Sequence, residues 1–100
     1  MTDWVETGKG TRRRVLSDVP ELMLVEFAFD AGAEGPIHDH IHVQGTYVAE
    51  GRFRFIVGDE EFEVGPGDSF VIPSSVPHGC VALEAGRLID SFAPRRDDFL

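Results

Sequence analysis

Four side chains between Gly35 and Gly51 have the types and spacing to hold a metal ion. His38, His40 and His42 alternate along GPIHDHIHVQGTYVAEG, and Gln44 keeps their parity. In an extended chain, alternate residues project from one face. Neutral imidazole is a common metal ligand, and an amide oxygen can join it. The competing reading is a solvated histidine-rich loop, which a further ligand elsewhere in the chain would disfavour. His78 is the candidate. In GPGDSFVIPSSVPHG, residues 65–79, Pro73 ends one strand, Pro77 sets up the next, and His78 stands at its start. Two prolines stiffen that turn and suit it to fixing one side chain at the head of a strand. His78 must then approach the first group from a neighbouring strand.

These residues need a β scaffold, and the chain supplies one. Short β-branched or aromatic runs lie at 12–18, 22–29, 45–51, 52–57, 61–64, 68–73, 80–85 and 87–93, with turn residues between them. Short strands at such spacing predict an antiparallel sandwich or barrel. Gly58-Asp59 reads as a two-residue hairpin loop, because glycine supplies the positive φ required there. LMLVEFAF (22–29) alternates less cleanly, as expected of a strand covered on both faces. No segment carries a capped helix. Residues 1–11, with the lone Trp4, read as an arm or edge strand, and 12–100 as the domain.

One hundred residues make one core. A net charge of −9 argues against a nucleic-acid partner, so Arg12-Arg13-Arg14 and Arg95-Arg96 read as solvated surface. The single cysteine, Cys80, excludes an internal disulfide. It shares the parity of His78, and the reading preferred is a small buried core residue rather than a thiolate at the metal. No secretory leader or membrane-length apolar run is visible, so the expectation is a cytoplasmic protein without a membrane partner.

The two histidine stretches resemble the paired motifs of the cupin family, small jelly-roll β-barrels. Its first motif is Gly, five residues, His-x-His, three or four residues, Glu, six residues, Gly. Gly32, His38, His40, Gln44 and Gly51 fit it, with Gln in the Glu position. Its second motif is Gly, five residues, Pro, x, Gly, two residues, His, three residues, Asn. Gly67, Pro73 and His78 fit, while Ser75 replaces the second Gly and Ala82 the Asn. From about Thr11 to Leu100 the chain is more closely similar to the KdgF-type cupins of pectin and alginate breakdown, on HDHIHVQ (38–44), VPHG (76–79) and DSFAPRRDDF (90–99). Ile41 and Val43 depart from that group's usual Pro and Glu.

The resemblance implies that His38, His40, Gln44 and His78 hold one divalent transition metal ion, with Zn, Ni, Fe, Mn and Cu not distinguished. Three imidazoles and an amide are all neutral, so such a site leaves the ion's charge uncompensated and favours an anionic substrate. His42 becomes a residue at the edge of the site. The resemblance also places Asp90, Phe92 and Arg96 in the substrate pocket: Asp90 as acid/base, Phe92 as an apolar face for a sugar ring, Arg96 as a fork for a carboxylate. The implied reaction opens a small 4,5-unsaturated uronate to its linear keto form. Two alternatives stay open, because this fold hosts many chemistries: a metal-dependent dioxygenase or other oxidoreductase, and a non-catalytic module binding a small anionic metabolite. Small barrels with edge strands often pair, so a homodimer is expected.

Overall fold

The computed structural model describes residues 3–100 as two facing antiparallel sheets. Its strands are β1 (Val5–Gly8), β2 (Thr11–Val19), β3 (Leu22–Phe29), β4 (Glu34–His38) and β5 (Val43–Glu50), then β6 (Phe53–Val57), β7 (Glu60–Val64), β8 (Ser69–Ile72), β9 (His78–Ala82) and β10 (Gly86–Ala93). One turn of 3-10 helix, Asp97–Phe99, closes the chain. The six-stranded sheet runs β1-β2-β3-β10-β5-β8 and the four-stranded sheet β4-β9-β6-β7. This is the all-β jelly-roll barrel expected from the sequence. No described helix is long and apolar enough to cross a membrane.

Inward-facing aromatic residues close one end of the barrel. Phe29, Val48 and Leu88 of the larger sheet pack on Phe53, Phe55, Val64 and Ala82 of the smaller. The rings meet edge to face, with centroids 5.2 Å apart for Phe29 and Phe53 and 4.7 Å for Phe55 and Phe70. Fully burying one such side chain contributes about 1.5–3 kcal/mol. Towards the other end the same strands turn polar without changing parity. Along β5 the inward residues run Val48, Thr46, Gln44; along β9, Ala82, Cys80, His78; along β10, Leu88 and then Asp90. A firm apolar floor therefore carries a polar mouth.

The fold departs from the sequence reading in three places. The stretch 34–38 is a strand, which its Gly and Pro content hid, while 83–85 is a turn rather than the end of β9. The arginine triplet is not simply solvated, because β2 sends Arg13 to the inner face, between the buried Thr11 and Val15. Part of the arm, β1, pairs with β2 as an edge strand, and residues 1–2 lie outside the described residues. The expected hairpin forms, with Val57 opposite Glu60 and Gly58 at φ 57°. As expected, β3 is covered on both sides at Val25 and Glu26.

Candidate active site

His38 ends β4, His78 begins β9, and the two are direct partners in register. Close approach of these strands depends on Gly79. A Cβ there would lie 2.8 Å from the Gly35 carbonyl oxygen and 2.9 Å from Ile37 Cδ1, so only glycine fits without displacement. Between His38 and Val43 the chain leaves the four-stranded sheet and enters the six-stranded one. The candidate ligands therefore do not share one extended face, as alternation alone predicts. They converge because the chain crosses from sheet to sheet, with His40 in the crossing and Gln44 on β5. The imidazole nitrogens of His38, His40 and His78 lie within 4.8 Å of one another. His42 stays outside this trio, its ring 5.5 Å from that of His40 and its buried Nδ1 without a hydrogen-bond partner among the described residues.

The hydrogen bonds around these rings suit a cation. Nδ1 of His38, His40 and His78 each lies 2.9 Å from a backbone carbonyl, of Pro36, His42 and Val76 respectively. A carbonyl only accepts, so each Nδ1 carries the proton and each neutral ring keeps a lone pair on Nε2. Burial, partly opposed by the hydrogen bonds, lowers the pKa of His40 and His78 and favours the neutral form. The Gln44 amide donates from Nε2 to Thr46 Oγ1 at 3.0 Å, which aims Oε1 at His40 Nε2, 3.0 Å away. With His40 neutral, two lone pairs face each other, as donors around a shared cation do. The donor set therefore fits a divalent transition metal.

Backbone strain supports the same corner. Ser75 adopts φ 63° and donates its N–H to the His40 carbonyl at 2.8 Å. A serine in this left-handed region is uncommon and persists only where its surroundings impose it.

Asp90 is 5% exposed and accepts a 2.7 Å hydrogen bond from the Thr46 hydroxyl. Burial pushes its pKa up to about 7, against the opposing hydrogen bonds from Thr46 and Gln44. Among the described residues it has no arginine partner, which disposes of the structural ion pair as its explanation. Phe92 lies beside His40, with ring centroids 5.6 Å apart. The Arg96 guanidinium sits 5.1 Å from the Phe92 ring centre, and its fork is occupied by Asp98 at 3.1 and 2.9 Å. A cavity of about 240 Å³ is lined by His38, Gln44, His78, Asp90, Phe92 and Arg96, among others. A larger hollow, about 580 Å³, lies beside the β1–β2 turn, but no histidine lines it. Cys80 also reaches the smaller cavity, where burial pushes its thiol up to about 12 and leaves it protonated.

Three contributors escape the sequence reading. Thr46 shares the parity of Gln44, and that was its available signal. Arg13 alternates with Thr11 and Val15, which marks it as inward-facing once β2 is known. Phe99 packs its edge on Phe92 and Phe27 from beyond the last strand, where no periodicity points to it.

Comparison with known proteins agrees with this geometry. A family model described as a cupin domain matches residues 25–92. The pectin degradation protein KdgF of Dickeya dadantii (strain 3937) is 41% identical over 99% of this chain and 92% of its own length. Among solved structures, KdgF from a Halomonas species superposes with a TM-score of 0.94 at 42% identity, covering 99% of this chain and 92% of that one. An RmlC-like cupin from Shewanella frigidimarina NCIMB 400 gives a TM-score of 0.95 at 43% identity, covering 99% and 89%.

Proposed function

The chain belongs to the cupin family, and we propose that within it this protein opens 4,5-unsaturated uronate monosaccharides to their linear keto acids during pectin breakdown. One observation carries the reading. A buried carboxyl with a pKa of about 7, Asp90, shares a small cavity with His38 and His78, which with His40 form a group of three converging imidazoles. The similarity over nearly the whole chain to two KdgF proteins, one of them named for pectin degradation, supports a sugar-acid substrate.

His38, His40, Gln44 and His78 would hold the metal. When bound, a divalent ion supplies a Lewis-acidic anchor for oxygens of the sugar acid. The protein's own groups handle the protons. The Asp90 carboxylate takes the proton of the anomeric hydroxyl and the C1–O5 bond breaks, giving an aldehyde at C1. The electron pair returns from O5 to form the C5 ketone, and C4 accepts a proton from Asp90. Atoms balance, because the sugar loses one proton from oxygen and gains one at carbon. Asp90 suits this exchange, since a group with a pKa near 7 both gives and takes a proton at neutral pH. Phe92 offers its face to the ring, and the phenyl groups around Asp90 limit water. We place the protein in the cytoplasm as a homodimer acting on a small anion. Val71, 66% exposed on the edge strand β8, supports the pairing, which mass in solution tests.

The test is an assay of metal-loaded protein with an unsaturated uronate monomer, following loss of the conjugated ultraviolet absorbance. Rapid loss that a chelator abolishes is the expected result. Oxygen consumption with ferrous iron and no such loss would identify an oxygenase instead. Stabilisation by the sugar acid without product would identify a binding module.

A further inference from the structure

Arg12, Arg13 and Arg14 stand side by side in sequence, and β2 sends them two ways. Arg12 and Arg14 turn outward, 5.2 and 4.5 Å from the centre of the Trp4 ring, and Arg14 also pairs with Glu26 at 2.7 Å. Arg13 turns into the barrel. It lies opposite Phe27 of β3, its guanidinium is 3.9 Å from the Phe99 ring centre, and it lines the cavity that holds His38, His78 and Asp90.

The other cavity arginine is already engaged. Arg96 gives one edge of its fork, Nε and Nη2, to Asp98, and its plane lies against the Phe92 and Phe99 rings. Among the described residues Arg13 makes no salt bridge or side-chain hydrogen bond, and a phenyl face is its close neighbour. Burial is the largest influence on its pKa and lowers it; the charge of Asp98 opposes this, and that of Arg96 adds to it. A partly desolvated guanidinium costs free energy that an aromatic face offsets only in part. A carboxylate in the cavity completes its hydrogen bonding, because guanidinium and carboxylate match edge to edge. The cavity as a whole favours an anion. Arg13 and Arg96 both line it, burial holds back ionisation of its carboxyl Asp90, and Glu34, which also lines it, is exposed to solvent.

We propose that Arg13 is the specificity-determining anion receptor of this cavity, binding the carboxylate of a monosaccharide acid, while Asp98 holds Arg96 as a stacking wall against Phe92 and Phe99. The identity of the anion as a sugar acid rests on the function proposed above; the receptor itself rests on the geometry of Arg13.

The experiment titrates metal-loaded protein calorimetrically with galacturonate, a saturated uronate that cannot react, and with galactose, its neutral counterpart. Wild type binds the acid in preference to the neutral sugar. Arg13→Met keeps an apolar stem on Phe99 and loses the charge; it is expected to weaken galacturonate binding by about tenfold or more, with galactose unchanged. Arg13→Lys keeps charge and stem without the fork, so it falls between the two and remains informative should the methionine variant unfold. The outward-facing Arg12→Gln behaves as wild type. The proposal is overturned if wild type shows no preference for the acid. It is also overturned if Arg13→Met binds galacturonate undiminished, or loses acid and neutral sugar alike, for then Arg13 only seats Phe99. Failure of the turnover assay with an intact Arg13 effect on galacturonate would remove the enzyme reading and leave the receptor standing.

Discussion

Two carboxylates are buried on opposite faces of the six-stranded sheet, almost back to back. Glu26 of β3 is the register partner of Ile89, and Asp90, the next residue of β10, is the partner of Val25. Their exposures are alike, 2% and 5%, but their partners differ. Burial pushes the Glu26 pKa up, yet hydrogen bonds from the Arg87 and Arg14 guanidiniums outweigh it and leave the pKa lowered. Asp90 has a hydroxyl and an amide for company, so burial prevails and its pKa rises to about 7. Burial alone therefore does not raise a carboxyl's pKa; burial without a compensating cation does. Glu26 joins β2, β3 and β10 through Arg14 and Arg87, and Arg87 reaches on to Glu50 of β5. Asp90 faces a cavity and a group of imidazoles.

The contrast breaks most completely at the metal centre. His78→Ala removes one of three imidazoles, and metal retention and turnover are both expected to fall to background while the apolar floor keeps the barrel folded. Metal analysis after gel filtration, alongside a thermal melt, checks this. On the outer face the opposite outcome is expected. Glu26→Ala should cost about 2 kcal/mol in urea unfolding, below the cost of opening a fully buried pair because Arg14 and Arg87 reach solvent. Its rate per folded molecule stays at the wild-type value.

The Glu26 contribution also has a defined pH dependence. Its folded pKa lies below the unfolded one, so the stabilisation is complete above the unfolded carboxylate pKa and is lost as pH falls through the folded value. The deficit of Glu26→Gln against wild type is therefore widest at pH 7 and narrows in acid, as urea melts at several pH values would register. Thr46→Val has a smaller effect. It deletes the hydroxyl between Gln44 and Asp90 and should lower kcat/KM about tenfold, the worth of one hydrogen bond to a charged group. Metal content is expected to stay stoichiometric.

Much of this contrast was legible in the sequence, for identifiable reasons. Strand parity carried β6, where Phe53 and Phe55 alternate with Arg52 and Arg54, while the less regular apolar run of β3 marked it as covered on both faces. The cupin motifs pointed to His38, His40, Gln44 and His78 before any geometry was known, and the structure brings the three imidazoles together. What periodicity misses is a change of sheet. Alternation put His38 to Gln44 on one strand, whereas the chain crosses between sheets after His38. Composition likewise misses facing: the arginine triplet looks like surface until β2 assigns Arg13 to the interior. The partners of Glu26 lie on β2 and β10, far apart in sequence, so nothing local distinguished it from an ordinary solvated glutamate.

The most direct measurement is the paired metal content and turnover of Asp90→Asn, which replaces the buried carboxyl by a neutral group of the same shape. Full metal occupancy, an undiminished thermal midpoint and turnover lower by about 10²–10⁴-fold are the expected results for a group that transfers a proton. Wild-type turnover would contradict that role. Loss of metal from the folded variant would contradict it too, for Asp90 would then act by supporting the histidine centre rather than by moving a proton.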